Sequence, residues 1–349
     1  MDSTGTFRFG GVADNFIDFN GTQLVIDTPE LSVDGSGNST FGGALSAATG
    51  TFGDVASEQY IEFDGTTLTL GTEVTIGDNT DRTVTVGSGG DYATIDLALE
   101  ALSRVVPAYK SGGFTATITP EAGYVDDGGI EIVGVDLSWI TIKDTGSFDW
   151  DVSAGADYFM TLSEGAKGPK IDASITATQS SSGDASGFFY VDRGSFLEFK
   201  DRTSGAELFL DADGLINSSL IVADNGSTVI ANGLRMLNND AGLWGVSASF
   251  GATVMFFNSE VTNAFTGGGA CIAEYGAFIE CTLGDFTVDQ PSLWALRGAK
   301  ITFLSGTIST SGSDDEMKVS TGGMLVINGT TATVSQTVNT ITSDGIIFQ

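Results

Sequence analysis

The stretch Gly251-Ala-Thr-Val-Met-Phe256 decides the fold, because its pattern recurs through the second half of the chain. In this pattern a glycine is followed by apolar residues three and five positions later. The other copies are GSFLEF from Gly194, GSTVIA from Gly226, GAFIEC from Gly276, GAKITF from Gly298 and GGMLVI from Gly322. The six glycines are 32, 25, 25, 22 and 24 residues apart. Such recurrence is the sequence signature of a solenoid, whose repeats stack to share one core.

The residues before each glycine alternate in the same way. The positions three and five before it hold Val191, Ala223, Ala248, Ala273, Ala295 and Val319, and Phe189, Ile221, Val246, Cys271, Leu293 and Met317. With the two positions after the glycine, all 24 residues are apolar. A period of two is that of a β-strand, so each repeat contains two short strands joined at the glycine turn. We therefore predict an all-β parallel β-helix, with the right-handed winding usual for parallel crossovers.

One helix is predicted ahead of the solenoid. The segment Asp91–Arg104 follows the strand and turn TVTVGSGG, and the apolar residues Ile95, Ala98, Leu99, Leu102 and Val106 fall at helical spacing. Asp91 or Thr94 can cap its start, and Pro107 marks its end. A helix in this place is expected to cover the open strand edge of the solenoid.

The N-terminal region contains a repeated hairpin. Phe16–Ile26 reappears as Tyr60–Leu70, 44 residues later, and each copy is a strand, an Asn-Gly or Asp-Gly turn, and a second strand. Isolated hairpins are barely stable in water, and copies of the chain wrapped together would supply partners. We predict four regions: a hairpin shaft over 1–82, a strand and capping helix over 83–110, the β-helix over 111–330, and a C-terminal strand or tail over 331–349.

Composition excludes several classes of function. The chain has no histidine, which removes Ser-His-Asp and Cys-His nucleophile systems and histidine-based zinc sites. Its net charge of −31 disfavours binding to nucleic acid or to anionic lipid. No apolar run reaches the length of a membrane span, and the first residues lack the features of a signal peptide, so we expect neither membrane insertion nor a cleaved leader.

The helix DYATIDLALEAL and the turns that follow it resemble the pectate-lyase-like β-helices of bacteriophage tailspikes and tail fibres. The stretches FDGTTLTLG from Phe63 and STFGGALSAATGTFG from Ser39 resemble shaft repeats of phage tail proteins. The resemblance implies a homotrimeric virion appendage, attached to other tail proteins through its N-terminus and extracellular after release, with the β-helix facing the host. It transfers no catalytic residue, because no active-site motif of the family is present.

With histidine-based catalysis excluded, a pair of carboxylates on adjacent turns is the remaining candidate for catalysis, as in glycoside hydrolysis. The position two before each glycine carries Asp192, Asp224 and Glu274 among its residues. Asp192 and Asp224 would lie about 5 Å apart, near the separation in retaining glycosidases, and Asp224 and Glu274 about 10 Å apart. The alternative is that these carboxylates are solvated turn residues, which a chain this acidic favours.

Other side chains suggest binding sites. Trp150 and Trp244 lie in loop-like sequence and could stack on sugars. Acidic clusters at Asp126-Asp127 and Asp314-Asp315 could hold Ca²⁺, although neither has the spacing of a calcium loop, and no other cofactor is expected. Cys271 and Cys281 fall on inward positions of one turn, where they are either bonded to each other or two small buried side chains.

The outward positions, two and four after each glycine, are apolar in half of the cases. They include Phe196, Ile230, Met255, Phe278, Met324 and Val326. Either another chain of a trimer or a loop of the same chain would cover such a face.

Three functions follow as hypotheses. The leading one is a trimeric viral tail fibre or spike that binds a host-surface glycan without cleaving it. The second is a polysaccharide hydrolase or lyase that uses the carboxylates of adjacent turns. The third is a purely structural part of the virion.

Overall fold

The structure is a computed structural model of the full chain. It describes residues 7–10, 16–19, 24–27, 31–33, 39–41, 50–54, 59–63, 68–70, 74–78, 80–107, 113–178, 185–200, 208–212, 219–237, 244–262, 269–288, 293–310, 317–328, 339–342 and 345–348. The chain divides into two compact units, Met1–Ile76 and Gly77–Gln349. Nearly all of its regular structure is β, as the alternating patterns predict.

The N-terminal unit is built from antiparallel strands. One run contains β1 (Phe7–Gly10), β2 (Phe16–Phe19), β3 (Leu24–Asp27), β4 (Leu31–Val33) and β5 (Ser39–Phe41), each paired with the next. A second run contains β6 (Gly50–Asp54), β7 (Gln59–Phe63), β8 (Leu68–Leu70) and β9 (Val74–Asp78). The two predicted hairpins are confirmed as β2–β3 and β7–β8, closed by the pairs Phe19–Leu24 and Phe63–Leu68.

The C-terminal unit is a parallel β-solenoid of about seven turns, built from three sheets. Sheet I stacks β10 (Arg82–Val86), β12 (Ala116–Pro120), β15 (Ile140–Asp151), β17 (Lys170–Thr178), β20 (Leu208–Asp211), β23 (Leu234–Leu237), β26 (Glu260–Thr262), β29 (Asp285–Val288) and β32 (Thr307–Thr310), with β13 (Val125–Asp126) beside β15. Sheet II stacks β14 (Ile130–Val133), β16 (Tyr158–Ser163), β18 (Gly187–Val191), β21 (Ser219–Ala223), β24 (Trp244–Ala248), β27 (Gly269–Ala273), β30 (Leu293–Leu296), β33 (Met317–Ser320) and β35 (Asn339–Thr342). Sheet III stacks β19 (Phe196–Glu198), β22 (Thr228–Asn232), β25 (Thr253–Phe257), β28 (Phe278–Thr282), β31 (Lys300–Leu304), β34 (Met324–Asn328) and β36 (Ile346–Phe348).

The core of the solenoid lies where the sequence predicts it. All 24 apolar positions around the glycines are buried. They also stack in the predicted register, since Val229, Val254 and Ile279 are successive partners in sheet III. Parallel strands with the same apolar residues in each turn share one continuous interior, and this sharing stabilises the solenoid. The parallel β-helix is therefore confirmed, and its fold is consistent with that of pectate-lyase-like proteins; right-handed winding and trimerisation stay predictions.

Each regular turn has a third strand that the pattern does not predict. After the sheet III strand, the chain bends at Gly233 or at a residue with positive φ, such as Asn258 (+50°), Leu283 (+58°) or Ser305 (+56°). The bend leads into a strand of sheet I, for example Glu260–Thr262. Such a strand contributes one or two inward residues, and this is too few for alternation to show in the sequence.

The region after residue 330, predicted as a C-terminal strand or tail, contains two strands. Asn339–Thr342 pairs with Met317–Ser320, and Ile346–Phe348 pairs with Met324–Asn328. The solenoid therefore continues past residue 330. No glycine with the recurring hexapeptide announces this last turn, so its strands were not recognised as a repeat.

The predicted helix forms as α1 (Ile95–Ser103), followed by the short strand β11 (Val105–Pro107). Thr94 is its N-cap and accepts a hydrogen bond from the Leu97 N–H at 3.2 Å. Asp91 lies outside the helix, and its carboxylate accepts the Thr85 N–H at 2.8 Å. Ile95, Ala98, Leu99 and Leu102 are buried in the solenoid core as predicted. Val106 was predicted on the same helical face, but it lies in β11 and is 49% exposed, because the helix ends at Ser103. The role of the helix as a lid stays a prediction.

The outward apolar positions and the membrane expectation can also be placed. The six outward residues from Phe196 to Val326 lie on sheet III and are half-buried, and a second chain over them stays a prediction. Across the residues that the structure describes, no helix combines the length and apolarity of a membrane span.

Candidate functional site

The turns between sheets II and III form a column along the solenoid, which we call the turn column. In each turn a residue with φ between +47° and +58° precedes a glycine with φ between +74° and +77°. The first of these two residues is Glu164, Arg193, Asn225, Phe250, Tyr275, Arg297 or Thr321. A hydrogen bond from the residue after the glycine closes each turn, as from Ala252 N to the Ser249 carbonyl at 3.1 Å. These are turns with two left-handed residues, which stack one above another.

Two members of the turn column carry aromatic rings at the left-handed conformation that the whole column shares. Phe250 and Tyr275 have φ of +48° and +50°, a region that bulky residues rarely occupy. Their rings are exposed by 52% and 42%, so they do not fill the core. A left-handed residue other than glycine, asparagine or aspartate costs roughly 1–2 kcal/mol. Since the other turns and Leu283 share this strain, the exposed aromatic stack at these two positions, and not the backbone conformation alone, points to a binding function.

The two rings form a stack. Their centroids are 4.5 Å apart and their planes differ by 4°. The guanidinium of Arg297 lies over the other face of Tyr275, 4.5 Å from the ring centroid, and also pairs with Glu274 at 3.1 Å. Tyr275 is therefore sandwiched, while the second face of Phe250 has no ring or cation against it within the described part of the chain.

The turns that precede this stack carry polar side chains. Asn225 Nδ2 donates to Asp192 Oδ1 at 2.7 Å, and the Ser249 hydroxyl donates to Asp224 Oδ1 at 2.7 Å. Arg193 pairs with Glu164 and lies 3.4 Å from Asp192 Oδ2. The column thus offers carboxylate, amide and hydroxyl groups beside an exposed aromatic face, which is the mixture that hydrogen-bonds and stacks on a polyhydroxylated ligand.

The predicted catalytic residues all lie in the turn column. Val191, Ala223, Ala248 and Ala273 are successive partners in sheet II. This register puts Asp192 and Asp224 one strand spacing apart, about 4.8 Å, and Asp224 and Glu274 two spacings apart, about 9.6 Å. Asp192 is 7% exposed, and its carboxylate contacts donors of its own turn and the next one. These hydrogen bonds give the Asp192 carboxylate a structural role in the turns. A catalytic role for Asp192, Asp224 and Glu274 stays a prediction.

The charges of two of these carboxylates affect the pKa of Tyr190. Burial is the largest cause that raises the pKa of Tyr190, followed by the negative charges of Asp192 and Asp224, and the pKa reaches about 12. Tyr190 also stacks on Tyr158, with ring centroids 5.3 Å apart. The phenol is thus held neutral beside two carboxylates, and its hydroxyl is a further hydrogen-bonding group next to the turn column.

The two predicted sugar-binding tryptophans are corrected. Trp150 lies in the long strand β15, is fully buried, and packs edge-on against Phe159 and Phe188. Trp244 begins β24, is 9% exposed, and packs against Trp294. Both rings are buried, so neither has a free face for a sugar, and each belongs to a strand and not to the predicted loop. The signal that would have found Phe250 and Tyr275 is a bulky aromatic residue directly before the turn glycine.

The predicted calcium residues do not form a site where they are described. Asp126 is 3% exposed and accepts hydrogen bonds from the Tyr124 hydroxyl and from the Gly128 N–H, the latter at 2.8 Å. Burial raises its pKa above the ordinary value in spite of these donors. Asp127 is exposed, and no group of three metal-binding side chains occurs among the described residues. Asp314 and Asp315 lie outside them.

The cysteines are free and buried in one turn. Burial, and secondarily the contact with Cys271, raises the pKa of Cys281 well above its ordinary value. They behave as two small buried side chains, one of the two predicted possibilities.

Comparison with protein-family models, with curated proteins and with solved structures gives no match for this chain.

Proposed function

We propose that this protein is a receptor-binding fibre or spike of a virus tail, which binds a host-surface glycan through the turn column. The observation that carries the proposal is the exposed stack of Phe250 and Tyr275 in strained left-handed conformations. Aromatic rings with adjacent polar groups are the usual means by which proteins hold sugar rings, because the apolar face of the sugar packs on the aromatic face.

The charge of the chain supports a neutral glycan as ligand. The overall charge is −31, and the cation at the aromatic stack, Arg297, is paired with Glu274. An anionic polysaccharide would meet repulsion that only salt screens. The neighbouring carboxylates and the amide of Asn225 instead match the hydroxyl groups of an uncharged sugar, which both donate and accept hydrogen bonds.

The assembly belongs to the proposal as well. A solenoid unit and a unit of antiparallel hairpins fit a virion appendage in which the N-terminal unit attaches to other tail proteins and three chains associate. This part rests on the resemblance of the shaft and helix sequences, and fold likeness alone is associational evidence for function.

The experiment is binding of the full-length protein to an array of neutral and anionic cell-surface glycans. Phe250→Ala and Tyr275→Ala should each weaken binding about tenfold or more, as loss of a stacking ring does. Leu283→Ala is the matched control, since Leu283 is also an exposed apolar residue with positive φ, at the bend between sheets III and I. Equal binding by all three variants and the unmodified protein would refute the turn column as the site.

One observation favours a second function, cleavage of the bound glycan. Asp192 and Asp224 lie on adjacent turns, at about the carboxylate spacing of retaining glycosidases. Incubation with a bound polysaccharide should then release reducing ends or unsaturated sugars, and Asp224→Asn should abolish the release. Binding of the glycan without release of sugars supports an adhesin. If the protein neither binds the glycan nor releases sugars, a purely structural part of the virion is supported.

A further inference from the structure

A groove lies between helix α1 and strand β14, several turns before the stack of Phe250 and Tyr275. Its volume is about 410 Å³. The buried side chains of Leu99, Ile130, Ile132 and Leu137 line it. Val133 and Val135 line it too and are 54% and 43% exposed, so the groove presents apolar surface to water. Exposed apolar side chains that adjoin a concave apolar surface are typical of a binding site for another chain.

The wall of the groove opposite the helix is an open sheet edge. Strand β14 is the first strand of sheet II and pairs with β16 on one side. On its other side no strand of the described chain pairs with it. Native proteins usually protect such an edge with lysine, proline or a bulge, because its free N–H and C=O groups accept a further strand. The sequence Ile-Glu-Ile-Val of β14 has no lysine or proline, its pairing with β16 shows no bulge, and its one charge, Glu131, is of the sign that attracts a basic segment.

The rim of the groove is acidic. Asp96 and Glu100 line it from the helix and Glu131 from the strand, and all three are exposed. Glu100 forms an ion pair with Arg104. Asp96 lies near the negative charge of Glu100 on the same helix. A second copy of this chain, with its charge of −31, would meet repulsion here. A segment with lysine or arginine is complementary to the rim.

We infer that this groove binds an extended segment of a partner protein in which apolar and basic residues alternate. The segment adds to sheet II as a strand beside β14, which satisfies the free backbone groups of that edge. Its apolar side chains cover Leu99 and Ile132, and its basic side chains lie on the other side against Asp96 and Glu131. Alternation is required, because successive side chains of a strand point to opposite faces. This inference is independent of glycan binding.

The probe is a fluorescent eight-residue peptide of alternating valine and lysine, titrated against the full-length protein by anisotropy. We expect saturable binding that weakens with salt, and no binding of the peptide in which glutamate replaces lysine. Glu131→Lys should weaken binding about tenfold or more, because it reverses a rim charge against the peptide. Asp96→Lys is the second variant and should act in the same direction from the helix side of the groove.

Asp127→Lys is the matched control, since it makes the same type of charge change at an exposed residue outside the groove. It should bind the peptide as the unmodified protein does. Hydrogen exchange should show slower exchange of the amides in 130–135 when the peptide is bound. Absence of saturable binding, equal weakening by Asp127→Lys and Glu131→Lys, or protection confined to another part of the chain would each overturn the inference.

Discussion

The ring of Tyr275 lies parallel to the ring of Phe250 on the adjacent turn, 4.5 Å away and tilted by 4°. This distance is close to the strand spacing of about 4.8 Å, so the register of the solenoid sets the stack. The same register would stack any residue placed at these two positions. The choice of two aromatic residues, at a backbone conformation that favours glycine or asparagine, is therefore what needs a functional reason.

Replacing Phe250 by asparagine should separate stability from binding. Asparagine tolerates the left-handed conformation, which relieves roughly 1 kcal/mol, while loss of the ring stack costs about 0.5–1.5 kcal/mol. We expect the free energy of unfolding in urea to change by less than about 1 kcal/mol and glycan binding to weaken about tenfold or more. Leu283→Asn should leave glycan binding intact. A strongly destabilised Phe250→Asn protein would instead show that the ring has a structural role.

Two glycine substitutions should differ in their effect on stability. Gly251 has φ +77° and open space where a Cβ would lie, so Gly251→Ala meets only conformational strain, about 1–2 kcal/mol. Gly128 has φ +68°, and a Cβ there would lie 2.3 Å from Trp150 Nε1. Gly128→Ala adds a clash with a buried ring and should cost about 3 kcal/mol or more. Urea unfolding of the two variants measures the difference, and equal losses would contradict it.

The core of the solenoid could be predicted from the sequence, because each inward column repeats with a period of two around a fixed glycine. Val254 and Phe256 are examples, and both are buried as predicted. The third strand of each turn escaped prediction because segments such as Glu260–Thr262 are too short to show a period. Tertiary stacking, and not local preference, makes them strands.

The candidate site was only half predictable. The register of the glycines places Asp192 and Asp224 on adjacent turns, and the strand pairing confirms that placement. The expectation for Trp150 was wrong because a loop-like composition around it conceals a strand of 12 residues whose side chains are partly core. The stack of Phe250 on Tyr275 was not predicted. It depends on which residue of the turn points outward, and the alternation of apolar residues in the strands carries no information on the turn conformation.

Titration of Tyr190 tests the electrostatics of the turn column. Its pKa of about 12, against an ordinary 10.0, reflects burial first and then the charges of Asp192 and Asp224. A raised pKa means that the stability from this group is present below pH 10.0 and is lost as the pH rises through about 12. The absorbance difference between the unmodified protein and Tyr190→Phe should titrate near pH 12, and Asp224→Asn should move it toward 10. An unmoved midpoint would mean that Asp224 does not act on the phenol.

The two thiols should be unreactive in the folded protein. Cys271 and Cys281 are fully buried, and burial raises the pKa of the Cys281 thiol, so neither access nor the reactive thiolate is available. A thiol reagent such as Ellman's should give no colour with native protein and two thiols per chain in denaturant. Absence of titratable thiols in denaturant would indicate a disulfide. Reaction of the native protein would indicate that sheet II or sheet III opens and exposes Cys271 or Cys281.

The buried carboxyl group of Asp126 should make stability depend on pH in a direction opposite to that of most acidic residues. Burial raises its pKa above the ordinary 3.8, although hydrogen bonds from Tyr124 and the Gly128 N–H act against this. The folded state therefore binds this proton more tightly than the unfolded state does. Its stabilising contribution is present below pH 3.8 and is lost as the pH rises through the folded pKa.

Asp126→Asn removes the titration and keeps a similar shape. The free energy of unfolding of the unmodified protein minus that of Asp126→Asn should fall as the pH rises from about 3 to 7. Taking the difference cancels the general repulsion of an acidic chain, which both proteins share. A difference that rises with pH for Asp126→Asn would mean that the hydrogen bonds outweigh burial and that the folded state holds the ionised carboxylate.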